Sequence, residues 1–227
     1  MSKKNARWRK LDNAAKLYSA ASNKKDTRVF RFYCELKEEV NPKALQEALN
    51  QTIETFPTFL MVLRKGFFWH YLEPCNLRPI VKEEYKEPCS RLYIRDKKTL
   101  LFEVTYYKKR INFEVFHVLT DGTGATEFLK ELVKNYLYLV HKEEGLEQIT
   151  LLPEDMTVQD QEDDSFLKYY SKNQKRPKKR KLNAFQIRRK KKDGNHLHVH
   201  ESVVSVQAVL KRSRELGVSM TIFLTAL

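Results

Sequence analysis

The chain has 227 residues, 41% of them hydrophobic and 32% charged, with a formal net charge of +14. That length suits one large domain or two small ones, and 13 Phe with 11 Tyr can fill a substantial core. No run reaches the roughly 20 apolar residues that span a bilayer, and the basic stretch Met1–Lys10 is not followed by the apolar core of a secretory signal.

The expectation is therefore a globular, cytoplasmic chain in which Cys34, Cys75 and Cys89 are reduced thiols. The first clear periodicity runs over Phe30–Leu36. There Phe30, Phe32, Cys34 and Leu36 alternate with Arg31, Tyr33 and Glu35, the pattern of a half-buried strand. Asn41 and Pro42 then make a helix start, Asn as the cap and Pro at the first helical position. Leu45, Leu49, Ile53 and Phe56 follow at helical spacing, and Pro57 ends the run.

Leu60–Arg64 and Phe67–Leu72 predict two strands joined by a turn at Lys65-Gly66, with Phe67, Phe68 and Trp69 read as core aromatics. Leu100–Tyr107 and Ile111–Val118 predict a hairpin whose tip is Lys108–Arg110. A second helix, from about Thr123 to His141, presents Phe128, Leu129, Leu132, Val133, Tyr136 and Val140 on one face.

Glu154–Asp164 is acidic and loop-like. Thirteen Lys or Arg residues and no Asp or Glu follow between Lys168 and Lys192, so this tract carries nearly the whole net charge. It reads as a solvated crossover loop. Contact with nucleic acid, anionic lipid or the phosphates of CoA are the alternatives. Its shortage of aromatic residues beyond Tyr169-Tyr170, with Phe185 alone, argues against a single-strand nucleic-acid binder.

Beyond Gly194 the pattern predicts a strand over Leu197–Val204 and a helix over Val206–Leu216. His196, His198 and His200 alternate on that strand and share a face. Such a trio could bind zinc with a water, but solvent-facing histidines are the preferred reading and no metal is expected. The run Ile222–Leu227 lies in a helix that starts near Ser219 and has no cap. The expectation is a truncated sequence with a second half missing.

The stretch Phe116-His117-Val118-Leu119-Thr120-Asp121-Gly122 lies at the end of a predicted strand and just before a helix. A histidine at a strand end can project into a cleft, and an ordinary imidazole, with pKa about 6.5, suits a general base near neutral pH. Gly122 is expected to permit a tight turn where a side chain would crowd the backbone. In the plainer alternative, His117 is a core histidine and Asp121 a helix cap.

The pattern His-x-x-x-Asp-Gly in this setting resembles the active-site signature of the CoA-dependent acyltransferase superfamily. That group spans chloramphenicol acetyltransferase, nonribosomal condensation domains and alcohol acetyltransferases. Trp8-Arg9-Lys10-Leu11-Asp12-Asn13-Ala14-Ala15 is similar to the opening segment of the alcohol-acetyltransferase-like members. The helix ending at Phe56-Pro57, followed by Leu63-Arg64 and Phe68-Trp69, resembles their first helix and next strands. Val218-Ser219-Met220-Thr221-Ile222 resembles the start of their second lobe. The likeness covers essentially the whole chain and about half of a family member.

The resemblance implies an α/β fold, an α+β sandwich in which a mixed, largely antiparallel sheet is covered by helices. It divides the chain into an N-terminal lobe (1–165), a basic crossover linker (166–195) and the start of a truncated C-terminal lobe (196–227). His117 would be the general base that deprotonates an alcohol or amine. Asp121 would hold the loop by pairing with an Arg, for which Arg64 is a candidate, and Gly122 would shape the turn. Acyl-CoA, acetyl or another short chain, would be the co-substrate, with no permanently bound cofactor and no metal.

One alternative donor is the phosphopantetheine of an acyl carrier protein, and another reading is an inactive lobe that binds a polyanion through the basic tract. The residues that would bind CoA are not legible. Phe116 stands where many members carry a second His. The second lobe would bring half the channel, an Asp-Phe-Gly-Trp-Gly-type motif and a donor to the tetrahedral intermediate, a term often worth several kcal/mol. Without it the 227-residue product is expected to be inactive alone.

Overall fold

The computed structural model describes residues 8–142, without 68 and 96, and residues 199 and 201–226. They belong to two units that divide between Asn195 and His196. In the first unit a short strand, β1 (Arg9–Lys10), leads into helix α1 (Asn13–Ala21), which Asp12 caps by accepting a 2.6 Å hydrogen bond from the Ala15 amide.

Strand β2 (Val29–Glu35) follows, then helix α2 (Pro42–Thr55). The sequence signal for α2 holds in detail. Asn41 Oδ1 accepts from the Lys43 and Ala44 amides at 3.0 and 3.2 Å, with Pro42 at the first helical position. Pro57 ends the helix and opens a single 3-10 turn, Pro57–Phe59.

Strands β3 (Met61–Lys65) and β4 (His70–Pro74) form the expected hairpin, closed by a 2.7 Å bond from the Gly66 amide to the Trp69 carbonyl. After β5 (Lys82–Glu83), the second hairpin is β6 (Phe102–Tyr107) and β7 (Arg110–Phe116), and helix α3 (Gly122–Val140) completes the unit.

Two sheets result. One is antiparallel in the order β1-β4-β3. The other runs β2-β7-β6-β5 and is antiparallel except for β5 beside β6. In the larger sheet Phe32 pairs with Phe113 and Phe113 with Val104, while Val115 lies between Phe30 and Phe102. Period-two alternation puts these side chains on one face, and that face meets α3. The ring of Phe128, on α3, lies 4.6 Å from Phe113, 5.5 Å from Phe102 and 4.4 Å from Phe59. Helix α2 packs along α3, where Thr52 Oγ1 accepts from Asn135 Nδ2 at 3.1 Å.

Some expectations fail here. Phe67 and Trp69 are not core residues: they are 94% and 59% exposed at the turn between β3 and β4, and Phe68 lies outside the described residues. Val140 ends α3 and is also exposed. Helix α1 and the two-residue β5 were not foreseen.

In the second unit, α4 (Val206–Glu215) has Ser205 as its cap. Gly217, at φ 65, ends it in the left-handed conformation that glycine adopts freely. Helix α5 (Met220–Ala226) follows, with Ser219 Oγ accepting from the Ile222 amide at 3.2 Å. The strand expected over Leu197–Val204 is absent from its described part. Val199 and residues 201–204 are irregular. No described helix is long and apolar enough to cross a membrane.

Phe128→Ala would empty the centre of the aromatic cluster. The expected cost is about 3–5 kcal/mol of unfolding free energy, as for other Phe truncations in packed cores, measured by urea denaturation.

Candidate active site

His117 is the first residue beyond β7. The chain turns there, with the Leu119 amide donating to the Phe116 carbonyl at 2.8 Å. The His117 amide donates to the Arg28 carbonyl at 2.9 Å. Its imidazole is stacked on the ring of Tyr18, from α1, at 4.0 Å and 16°, and meets Phe30, from β2, at 4.7 Å and 54°. Nδ1 is buried with no hydrogen-bond partner among the described residues. The ring is thus held by its two walls and one main-chain bond rather than by a polar side chain.

Asp121 caps α3: Oδ1 accepts from the Gly124 amide at 2.9 Å, and its carbonyl accepts from the Ala125 amide at 3.0 Å. The partner proposed for it is engaged elsewhere. Arg64 Nε lies 3.3 Å from Glu73 Oε2, because β3 and β4 are adjacent and bring a carboxylate within reach.

The expected role of Gly122 also needs correcting. Its φ lies outside the left-handed region, and an added Cβ would meet only Phe32 Cζ, at 3.9 Å. The crowded position is Gly124, where a Cβ would fall 2.2 Å from Thr120 Oγ1.

A hydrogen-bond network runs through the two loops around Arg28 and Cys89. Thr27 Oγ1 donates to the Cys89 carbonyl at 2.7 Å and accepts from the Val29 amide at 3.2 Å, while Ser22 Oγ donates to the Thr27 carbonyl at 3.2 Å. The Cys89 amide donates to Glu114 Oε1 at 2.7 Å. Glu114 lies on the face of the larger sheet turned away from α3 and is paired with Arg31 at 2.8 Å. Arg31 also reaches Glu84 at 2.6 Å, and Arg110 joins Glu84 at 3.1 Å.

Burial pulls the Arg31 guanidinium down, but the hydrogen bonds and charges of Glu84 and Glu114 more than offset this and raise its pKa above the ordinary arginine value. The Cys89 thiol is pushed up by burial first and by the Glu114 charge second. Sequence reasoning missed Tyr18, Arg28 and Phe30 as neighbours of His117. Tyr18 left a local signal in the helical spacing of Leu11, Ala15 and Tyr18 around the Asp12 cap, and Phe30 in the alternation of β2.

Among the described residues no cluster of His, Cys, Asp or Glu could hold a metal ion. His196, His198 and His200, and the tract Lys168–Lys192, lie outside the described residues. An open depression of about 380 Å³ runs along α4, lined by Gln207, Leu210, Lys211, Arg214 and Glu215, and carries none of the motif residues.

No family model matches the chain, and no curated protein matches it in sequence. Solved structures match in fold. The starter condensation domain of rhizomide synthetase RzmA is similar at a TM-score of 0.50 and 12% identity, over 60% of this chain and 39% of that one. A mutant of the same domain in complex with C8-CoA gives 0.50 and 13%, over 60% and 36%. The fold is that of a condensation domain. The chain spans well under half the length of these domains.

Two pairs of variants test the local geometry by thermal or urea unfolding. Gly122→Ala is expected to be neutral or stabilising by about 0.4–1 kcal/mol. Gly124→Ala is expected to destabilise by about 1–3 kcal/mol, a loss recovered when Thr120→Ala removes the obstructing hydroxyl. Asp121→Asn keeps a good cap and is expected to leave stability unchanged, whereas Asp121→Ala costs about 1 kcal/mol.

Proposed function

We propose that this chain supplies the base-bearing part of an acyltransferase that moves an acyl group from a thioester to a small alcohol or amine. One observation carries this reading: His117, at the head of His-x-x-x-Asp-Gly, stands at the end of a central strand in a condensation-domain fold with its ring fixed between Tyr18 and Phe30.

With Nδ1 enclosed, Nε2 is the nitrogen assigned to meet the acceptor. It takes the proton as the acceptor oxygen or nitrogen bonds to the thioester carbon. The tetrahedral intermediate then collapses, the C–S bond breaks, and the imidazolium returns the proton to the departing thiolate. A ring held in one plane needs no reorientation between these steps. Asp121 organises the loop by capping α3 and makes no contact with the reacting atoms in this scheme. No metal or bound cofactor is required.

Acyl-CoA is the proposed donor, in line with the C8-CoA complex of a domain of the same fold. An acyl group on the phosphopantetheine of a carrier protein is the second reading. It is favoured by the synthetase origin of the matched domains and by a net charge of +14 that would suit an acidic carrier.

The test follows free CoA with a thiol reagent, using the full-length product of the gene, acetyl-CoA or octanoyl-CoA, and a panel of alcohols and amines. Discharge of an acyl-loaded carrier protein is followed by mass spectrometry. Acceptor-dependent release is expected to fall about 10²- to 10⁴-fold in His117→Ala. Release untouched by the substitution removes His117 as the base. Turnover confined to the carrier-bound donor selects the second reading.

A further inference from the structure

We propose that Thr27 is a positioning residue for His117, acting through the carbonyl of Arg28; the inference rests on His117 being the base. Among the described residues, three other than glycine have positive φ: Arg28 at 55°, Cys89 at 57° and Lys108 at 49°. Lys108 is at the tip of the β6–β7 hairpin, where such a conformation serves the turn. Arg28 and Cys89 serve no hairpin. They are joined through one hydrogen bond, from Thr27 Oγ1 to the Cys89 carbonyl at 2.7 Å.

A side-chain-bearing residue in this region is strained and persists only where its surroundings over-determine it. Here they do. Cys89 is anchored by its amide to Glu114, a carboxylate that Arg31 holds on the sheet. Thr27 is held at three points: its hydroxyl to Cys89, the same oxygen to the Val29 amide, and its carbonyl to Ser22 Oγ.

The contacts of His117 come from Arg28, in the loop that Thr27 ties down, and from the two elements that this loop joins. Residues 22–28 join α1, which carries Tyr18, to β2, which carries Phe30. The left-handed turn at Arg28 aims its carbonyl at the His117 amide. Removing the Thr27 hydroxyl frees the Cys89 carbonyl and the Val29 amide, lets Arg28 relax toward an ordinary conformation, and moves both ring walls and the backbone tether together.

The experiment compares Thr27→Val with Thr27→Ser in the full-length protein. Turnover and the imidazole resonances of His117, in isotope-labelled protein, are both measured. In the wild type the stacked Tyr18 ring displaces those resonances upfield. Thr27→Val is expected to return them toward free-histidine positions and to lower kcat about 10- to 100-fold, the scale of a misplacement near 1 Å, with KM unchanged. Thr27→Ser is expected to restore both.

A Thr27→Val protein that melts lower while resonances and kcat stay at wild-type values overturns the proposal. If Thr27→Val does not fold, Ser22→Ala removes the weaker bond to the Thr27 carbonyl, and unmoved resonances there overturn it equally. Turnover that survives His117→Ala sinks the base reading instead, and the resonances alone then decide whether Thr27 positions the ring.

Discussion

Strand β7 is paired along both edges, by β2 and by β6, and every residue from Ile111 to Phe116 is buried. The candidate site hangs from the end of this strand. One face is sealed by Phe128 and its aromatic neighbours. The other must house Glu114, which it can do only because Arg31 stands on the adjacent strand to neutralise it. Breaking a buried pair of this kind by removing one member typically costs about 3–5 kcal/mol, since the remaining charge has nowhere to go. A histidine placed one residue past such a strand inherits its rigidity.

What could be read in advance was what local physics decides. Alternation marked β2 and the β6–β7 hairpin. The Asn41-Pro42 start and the Pro57 stop marked α2, and a 3.6-residue stripe marked α3. What could not be read was set by partners. Two residues of β5 are a strand only because β6 lies beside them. The valine-rich stretch Val203-Val204 has the β-branched composition of a strand but is irregular. Phe67 and Trp69 were taken for core as aromatics, although a hairpin tip is the place least able to bury them.

The site divides the same way. The motif singled out His117 and Asp121, and the cap at Asp121 follows from its place before a helix. Arg64 was paired with the wrong carboxylate because strand adjacency, not sequence distance, brings Glu73 to it. Gly122 was credited with a steric role that belongs to Gly124, since the motif names a residue type but only the path of the first helical turn decides which Cβ would collide. Tyr18 stacks on a histidine and Phe30 meets it at a tilt, both from far along the chain, and no window of sequence contains that fact. A fold shared at 12% identity makes the same point: what persists is the placement of strands and helices, with little of the residue content.

The Arg31–Glu114 pair has a further consequence, for how the chain finds this arrangement. Because side chains alternate with a period of two, a slip of β2 against β7 by one residue would swing Arg31 toward the aromatic cluster and leave Phe32 facing Glu114. The ion pair therefore acts as a proofreader of strand alignment, penalising every neighbouring register far more than it stabilises the correct one. The strand it proofreads joins β7 from a great distance along the chain, a non-local closure of the kind that slows folding. Phe30 and the Arg28 carbonyl arrive with that strand. An intermediate in which β6, β7 and α3 have already assembled would thus carry His117 with its surroundings unfinished, and the enclosure of that ring would be among the last features the fold acquires.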